Sequence, residues 1–482
     1  MRLPSLTMQL GKMLVGLAAV TVVGCGGDLG PKLTAAPAHA SQFGYLDVTF
    51  SGDVASLGDI QSVTLGGVYT YNLRATPTAL TVTIQGAPVP GPAELIVTGS
   101  RGRAVRHGAF SYDPPTTGAP RTWAAFGASV TQGTESMGID EHTQTFGVTA
   151  QIARAAGVFL PLPIFDPEFA TPLHATDFDS DCVQKPDTGI DFQKLTARIT
   201  DPTTGLFNLK LARLSWQTTP QNFAVGGSKL VQTLRGGTGT VAVLEHVIDE
   251  PTADPGDVVG MLDISQIQRL EQLDADVVFC TDLFANDVDA AVGESDDLHL
   301  EEVTDLAVIK PLVAEMMGRL GKLHGQYFIA NLLSLTFVPN VVDLRAKRLL
   351  AGTDTAASFD AKVAALDQII DDYNAALVDA IAPYPNLHLL DFHARVEQVR
   401  ASGIMVGGEL LTVQKFGGFL SFDNLHPSDS GYASLANFFL ESLNATLSTQ
   451  IPMVDVDAVL AQDEADPARL RAAGFTCVPP QP

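Results

Sequence analysis

The sequence lacks most of the short motifs by which catalytic frameworks are recognised. It contains no HExxH pair for zinc, no Walker A loop for nucleotide phosphates and no CxxC pair. It also lacks G-x-S-x-G: Gly127 precedes Ser129 at the right spacing, but Thr131 stands where an α/β-hydrolase keeps the second glycine. These absences argue against the common zinc protease, P-loop and α/β-hydrolase frameworks, and we expect neither a metal nor a cofactor.

Basic residues and cysteines are also scarce. The chain has 29 Lys and Arg against 54 Asp and Glu, a formal net charge of −25, which disfavours nucleic acid as a partner and any electrostatic hold on anionic lipid. The only cysteines are Cys25, Cys182, Cys280 and Cys477. Cys280 ends an apolar strand-like run and is expected to be a buried free thiol. Cys182 and Cys477 could form a disulfide, although nothing in the sequence fixes that pairing.

The apolar stretch near the N-terminus is short for a membrane span. It runs from Met13 to Val23 after Arg2 and Lys12, as in a secretory signal. It ends in VVGC, which resembles a bacterial lipobox and implies cleavage before Cys25 with lipid attached to its thiol; the alternative is an ordinary secretory cleavage site. We therefore predict a signal peptide over 1–24, a lipid-anchored tether over 25–41, and export to the bacterial cell envelope, at the outer membrane if the cell is Gram-negative.

The next segment, 42–114, alternates short apolar runs with glycine and proline. This pattern predicts a small β-sandwich, and the order of its runs resembles an IPT/TIG immunoglobulin-like domain. Such a domain would contact carbohydrate or protein, or act as a spacer that lifts the rest of the chain off the membrane; its partner is unknown. A proline-rich and therefore stiff linker follows over 115–120.

From 121 to 447 apolar strand-like runs alternate with helical ones. This rhythm predicts an α/β fold in which helices cover both faces of a parallel sheet. Ser129, Gly227 and Asn286 each follow the end of a predicted strand. Because such sheets bind ligands beyond the carboxyl ends of their strands, these residues are expected at the binding edge. The last segment, 448–482, is expected to be a C-terminal tail.

The pair Asp423-x-x-His426 stands just before an apolar helical run. Two intervening residues let both side chains reach from one loop, so the carboxylate can orient the imidazole while its other ring nitrogen faces a serine such as Ser129. The alternative is structural: an Asx-type turn, with Ser428 or Asp429 capping the helix.

Two further segments carry groups suited to binding an oxyanion. NFAVGG ends in Gly226 and Gly227, where a backbone N–H can approach a substrate oxygen with no Cβ in the way. In VVFCTDLFAND, a buried strand is followed by Asn286, whose amide can donate to the same oxygen.

Taken in order, the blocks around Ser129, Gly227, Asn286 and Asp423/His426 resemble the SGNH hydrolase (GDSL esterase/lipase) superfamily, close to its plant-type and lecithinase-like branch. The resemblance implies a three-layer α/β/α sandwich over 121–447. It implies Ser129 as nucleophile, His426 as general base and then acid, and Asp423 as its orienting partner. The oxyanion hole would be the N–H groups of Ser129 and Gly227 with the Asn286 amide.

Two residues depart from the family pattern. Ala128 stands where the family usually has the aspartate of GDS, and Phe284 replaces a small residue and is expected in the pocket wall. Neither position supplies a proton or an oxyanion donor. The sequence thus predicts a serine ester hydrolase acting on lipid or short-chain acyl esters. The alternatives are a carbohydrate O-acetylesterase and a catalytically silent surface-binding lipoprotein.

The apolar run at 159–165 could line an acyl groove or pack an insertion onto the core. Packing is the commoner outcome for such residues.

Overall fold

A computed structural model describes residues 27–165, 171–186, 188, 220–235, 265–293 and 296–481. Cys25 and the expected signal peptide lie outside these residues, so export and lipid attachment stay predictions. Within the described ranges, no helix combines the length and the apolar character needed to cross a membrane.

The chain is a mixed α/β protein with several sheets, one of which is parallel. The strands are β1 (Leu33–Ala36), β2 (His39–Ser41), β3 (Leu46–Gly52), β4 (Ile60–Leu65), β5 (Val68–Tyr69), β6 (Tyr71–Thr76), β7 (Ala79–Ile84), β8 (Gly91–Gly99), β9 (Gly102–Asp113), β10 (Trp123–Ala125), β11 (Val277–Cys280), β12 (Gln326–Ala330), β13 (Leu387–Leu390), β14 (Ile404–Val406) and β15 (Glu409–Leu411).

The α-helices of the described residues lie after β9. They are α1 (Ser129–Gln132), α2 (Glu141–Phe146), α3 (Val148–Ala156), α4 (Leu230–Arg235), α5 (Gln266–Leu273), α6 (Ala285–Val288), α7 (Ala290–Gly293), α8 (Leu306–Leu320), α9 (Pro339–Ala351), α10 (Ala356–Ile381), α11 (Phe392–Ser402), α12 (Asp429–Leu447), α13 (Val456–Leu460) and α14 (Pro467–Ala472). Short 3₁₀ turns cover Val54–Leu57, Ala175–Asp177 and Leu300–Glu302.

The N-terminal strands form two sheets around one core. One sheet has the order β1-β3-β7-β6 and the other β2-β9-β8-β4-β5. Alternate residues of both sheets, such as Val48 and Phe50 from one and Leu95 and Val97 from the other, belong to the same hydrophobic cluster. Alternation along a strand therefore places one face of each sheet inward.

This N-terminal region differs from the sequence expectation in one respect. Part of the segment expected to be a tether is folded, because β1 pairs antiparallel with β3 and β2 pairs parallel with β9. Leu33 and Ala35 in β1 are buried and alternate with exposed residues. Four residues of alternating polarity are too few for sequence patterns to separate a strand from a tether.

The parallel sheet has the order β10-β11-β12-β13, and all three strand pairs are parallel. Ala125 lies opposite Phe279, and Phe279 lies opposite Phe328. The sequence predicted these strands as apolar runs. The run before Gly226 and Gly227, which was expected to be a strand, is joined to β10 by an isolated parallel bridge between Asn222 and Ala125.

Successive residues of the parallel sheet point to opposite faces and belong to different clusters. On one side, Phe279 lies in a cluster with side chains of α3 and α12. On the other, Val278 lies in a cluster with side chains of α8 and α10. Helices therefore cover both faces of the sheet, which leaves its strand ends as the place where a ligand can reach it.

The C-terminal segment expected to be a tail packs against the rest of the chain. It contains α13 and α14 and contributes Leu470 and Val478 to a small hydrophobic cluster that also holds Phe178. A disulfide joins Cys182 to Cys477, which lie 295 positions apart in sequence and have their Cα atoms 6.1 Å apart. Cys280 is buried and free. The disulfide thus attaches the C-terminal segment to the loop that contains Phe178.

We expect this disulfide to contribute to stability. Replacing both Cys182 and Cys477 by serine should lower the free energy of unfolding by about 2–5 kcal/mol, since the cross-link restricts the unfolded chain. Denaturant unfolding of the two proteins with and without dithiothreitol measures this. The reductant should destabilise the original protein and leave the double variant unchanged; equal stability of the two under oxidising conditions would contradict the expectation.

Candidate active site

Polar side chains collect at the carboxyl ends of two neighbouring strands. Ser129 begins α1, shortly after β10 ends at Ala125, and Asp282 and Asn286 follow the end of β11 at Cys280. Because β10 and β11 are adjacent and parallel, both loops emerge at the same edge of the sheet.

The turn that leads into Ser129 is tightly packed. Gly127 has a φ of 138°, and a Cβ there would lie 2.5 Å from Asp282 Oδ1 and 2.8 Å from Thr131 Oγ1. Any side chain would force these groups apart. Glycine is therefore required if the carboxylate of Asp282 is to approach the turn.

Asp282 holds this turn through four hydrogen bonds. Its Oδ1 accepts from the Ala128 N–H at 2.9 Å and from the Thr131 hydroxyl at 2.6 Å. Its Oδ2 accepts from the Val130 N–H at 2.7 Å and from the Thr131 N–H at 3.3 Å. Burial raises the pKa of Asp282 above its ordinary value, while these donors oppose the rise by favouring the carboxylate. The residues on both sides of Ser129 are thus tied to one buried group.

The loop that carries Asp423 and His426 is closed on itself. The Ser421 N–H donates to the His426 carbonyl at 2.8 Å, and Asn424 adopts a left-handed φ of 61° at the turn. Ser428 caps α12 by accepting from the Gly431 N–H at 3.1 Å. The capping role considered for this motif is therefore present.

The structure brings Ser129, His426 and Asp423 together. His426 Nδ1 lies 2.6 Å from Asp423 Oδ2, and His426 Nε2 lies 2.9 Å from Ser129 Oγ. With the Nδ1–H donated to the carboxylate, the lone pair of Nε2 faces the serine and accepts its O–H. Such an arrangement can remove the proton of Ser129 as its oxygen attacks an electrophile.

Further donors hold the Asp423 carboxylate. Oδ1 accepts from the N–H groups of Leu425 and His426, both at 2.9 Å, and Oδ2 accepts from the Met137 N–H at 2.6 Å. Burial alone would raise the pKa of Asp423, but the charge of His426 and these hydrogen bonds hold it below its ordinary value. Asp423 therefore stays ionised beside the imidazole.

Nearby carboxylates act on His426 in the same sense. Burial alone would lower the pKa of His426, but Asp423 in contact, and Asp289 and Asp282 through space, raise it above its ordinary value. These negative charges stabilise the protonated ring. An imidazolium formed by taking up a proton from Ser129 would be stabilised in the same way.

The residues predicted to bind an oxyanion also lie at this edge. The Gly226 N–H donates to the Gln132 side chain at 2.9 Å, and Asn286 Nδ2 donates to the Ser228 carbonyl at 3.0 Å. The first bond joins the Gly-Gly turn to α1, and the second joins the residue after it to α6. Within the described residues, the N–H groups of Gly227 and Ser129 make no hydrogen bond with the protein, so both can donate to a ligand.

The serine, the histidine and the oxyanion-binding residues lie in the wall of a cavity of about 950 Å³. Its lining is mostly apolar, with side chains from the segments after β10, β11, β12 and β15 and from the loop cross-linked by Cys182. Ser129, Gly227, Asn286, Asp289 and His426 all line it. A ligand in the cavity would therefore meet the serine and the unpaired donors at once.

The structure corrects one expectation about the pocket and decides between two alternatives for another segment. Phe284 was expected in the pocket wall, but it is 1 % exposed, packs edge-on against Tyr373 at 5.6 Å and is not among the cavity-lining residues. The side chains of Leu160, Leu162 and Ile164 lie in the core beside α3 and line no part of the cavity. The 159–165 run therefore packs an insertion onto the core.

Sequence reasoning missed two acidic residues at this site, Asp282 and Asp289. Both follow β11, the strand whose end identified Asn286. The rule that ligands bind beyond strand ends could have singled out Asp282. Its role depends on contacts with residues such as Val130, 152 positions away in sequence, and no local spacing reveals them.

Comparisons with known proteins do not assign this chain to a family. No protein-family model and no curated protein matches the sequence. Among solved structures, the YxiM protein of Bacillus subtilis aligns at 12% identity over 83% of this chain and 80% of its own, with a TM-score of 0.28. Tandem immunoglobulin domains of titin align at 13% identity over 21% of this chain and 58% of theirs, with a TM-score of 0.15. Neither likeness carries an argument about this chain.

Replacing Asp282 by asparagine should loosen the turn around Ser129. An amide can accept with one oxygen only, so one pair of donors among Ala128, Val130 and Thr131 loses its acceptor, at a cost of about 1–3 kcal/mol in the free energy of unfolding. Amide hydrogen exchange should then become faster across 128–131.

The matched control is Asp287→Asn. Asp287 is also buried but accepts from the Leu230 N–H at 2.7 Å, at the start of α4. It should lose comparable stability and leave exchange across 128–131 unchanged. Equal protection of that turn in both variants would show that Asp282 does not hold it.

Proposed function

We propose that this protein is a serine hydrolase that cleaves carboxylic esters through an acyl-enzyme. The observation that carries the proposal is the hydrogen-bonded series from Ser129 through His426 to Asp423. This series lies at a cavity whose wall also holds Gly227 and Asn286. We further propose that 121–447 form an SGNH-type α/β/α sandwich, an assignment supported by the parallel sheet with helices on both faces.

In the first half of the reaction, Ser129 Oγ attacks the ester carbonyl carbon as its proton passes to His426 Nε2. The carbonyl oxygen becomes an oxyanion. When the tetrahedral intermediate collapses, His426 returns the proton to the departing alcohol and the acyl group remains on Ser129. Asp423 keeps the ring in the required tautomer and stabilises its charged form.

In the second half, water takes the place of the alcohol. His426 accepts a proton from the water as its oxygen attacks the acyl-enzyme, and then protonates Ser129 Oγ as the acid leaves. The same imidazole serves both halves because the alcohol and the water occupy the same side of the carbonyl group.

Three donors are suited to the oxyanion: the N–H groups of Ser129 and Gly227 and the Asn286 amide. Asn286 uses one N–H on the Ser228 carbonyl, which orients the amide and leaves its second N–H for substrate. Donors fixed before the reaction need no rearrangement as negative charge develops, and this is the source of their catalytic effect.

The cavity supports an acyl ester with a sizeable apolar part. Its volume of about 950 Å³ far exceeds what an acetyl group needs, and apolar side chains such as Leu333, Leu335 and Phe337 line it. We therefore propose lipid or short-chain acyl esters as substrates, in preference to carbohydrate O-acetyl esters.

We also propose that the reaction takes place at the cell envelope. The lipobox-like sequence ending in Cys25 supports attachment to a membrane through a lipid. The two N-terminal sheets then form an immunoglobulin-like spacer between that anchor and the hydrolase.

The central test is hydrolysis of p-nitrophenyl esters from acetate to palmitate. Ser129→Ala should reduce kcat by at least about 10⁴-fold because the nucleophile is lost. Asn286→Ala should reduce kcat by about a hundred- to a thousand-fold, as expected for one oxyanion donor. Stopped or continuous absorbance assays at several substrate concentrations measure both.

Ser402→Ala, which changes an exposed serine at the end of α11, is the control and should retain full activity. Equal hydrolysis by the original protein and Ser129→Ala would contradict the proposal and favour a catalytically silent surface protein.

A further inference from the structure

Asp289 is an acidic residue in the cavity wall with no assigned role. It lies three positions after Asn286, just beyond α6, so the two residues lie on neighbouring positions of one helical face. Both line the cavity. A ligand that binds the Asn286 amide would therefore lie near the Asp289 carboxylate.

Asp289 differs from Asp282, Asp287 and Asp423 because its carboxylate has no partner among the described residues. Asp282 and Asp423 each accept several hydrogen bonds, and Asp287 accepts from the Leu230 N–H. Within the described part of the chain, the side chain of Asp289 makes no hydrogen bond and no ion pair. Its side chain is only half-buried, so its oxygens can reach a molecule in the cavity.

An unpaired carboxylate in a mostly apolar cavity favours ligands that can donate a hydrogen bond to it. Removing a charged group from water is unfavourable unless a donor replaces the lost water. A hydroxyl or ammonium group of a ligand supplies such a donor. A phosphate or carboxylate would be repelled, and the net charge of the chain, −25, acts in the same direction.

The chemistry of the proposed substrates indicates which part of an ester meets Asp289. Asp289 and His426 both line the cavity, and His426 Nε2 is the atom that protonates the departing alcohol in the proposed reaction. The acyl part of a lipid or short-chain ester is hydrocarbon and offers a carboxylate no hydrogen-bond donor. A hydroxyl or ammonium group that pairs with Asp289 therefore belongs to the alcohol part.

We propose that Asp289 determines specificity for the alcohol part of the substrate by accepting a hydrogen bond from a hydroxyl or ammonium group close to the ester oxygen. This proposal rests on the proposed esterase function. It makes esters of polyols or of amino alcohols better substrates than esters of simple alcohols, and it makes esters of phosphorylated alcohols poor ones.

The test uses butyrate esters that share the acyl group and differ in the alcohol. The series is ethyl butyrate, ethylene glycol monobutyrate, dimethylaminoethyl butyrate and the butyrate of ethylene glycol monophosphate. The full chain should hydrolyse the hydroxyl or the ammonium ester with a kcat/KM at least about tenfold above that of ethyl butyrate, as for one hydrogen bond to a charged group. The phosphorylated ester should be the slowest.

Two variants separate the possible ligands. Asp289→Leu removes every acceptor and should abolish the preference over ethyl butyrate. Asp289→Asn keeps one acceptor oxygen but no charge, so a preference for the hydroxyl ester should be partly retained and a preference for the ammonium ester should be lost. Asp379→Asn, which changes an exposed carboxylate of α10 outside the cavity lining, is the control and should leave all ratios unchanged.

The pH profile distinguishes substrate binding from an effect on His426 alone. Asp423, Asp289 and Asp282 all raise the pKa of His426. Neutral His426 is the active form, so Asp289→Asn should move the low-pH limb of kcat/KM to lower pH. A shifted limb with unchanged substrate ratios would overturn the proposal, because Asp289 would then act only through the imidazole.

Other results would also overturn it. One such result is a similar kcat/KM of the original protein on all four esters, and another is an unchanged preference in Asp289→Leu. Either would show that Asp289 does not determine specificity for the alcohol part, although the esterase function would stand. If the original protein is no faster than Ser129→Ala on any ester, both proposals fail.

Discussion

The site depends on the contact between the Asp282 carboxylate and the backbone that surrounds Ser129. Asp282 emerges from β11 and binds N–H groups that follow β10. The two strands are hydrogen-bonded in parallel, and the Asp282 carboxylate also joins the loops that follow them. Because Asn286 follows Asp282 on the same loop, this contact also fixes the serine relative to the amide that would bind the oxyanion.

The same contact organises the turn although the residue before Ser129 is an alanine. Ala128 has no polar side chain that could hold the loop. The carboxylate that accepts from the backbone here is that of Asp282, across the sheet edge, and Gly127 leaves the space it needs. A side chain from the neighbouring strand therefore holds the turn around Ser129.

Much of the fold and part of the site follow from local sequence patterns. The strands β10 to β13 are short apolar runs between helical segments, and Asp423 and His426 are close enough in sequence to be recognised as a pair. The N-terminal edge strands and the roles of Asp282 and Asp289 were not predicted. They depend on pairing and side-chain direction between segments far apart in the chain, and sequence periodicity describes only neighbours. Phe284 was placed wrongly for the same reason, since its partner Tyr373 lies on a distant helix.

The central claim is that Ser129 is a nucleophile activated by His426, and covalent labelling tests it most directly. The protein would be treated with a fluorophosphonate, digested, and the modified peptide identified by mass spectrometry. We expect one adduct, on Ser129, that is lost in His426→Ala. The adduct should persist in His142→Ala. In the original protein, His142 Nε2 lies 2.9 Å from Asp429 Oδ2 and makes no contact with Ser129 within the described residues. An unmodified Ser129, or labelling of Ser129 that is equally fast without His426, would contradict the account.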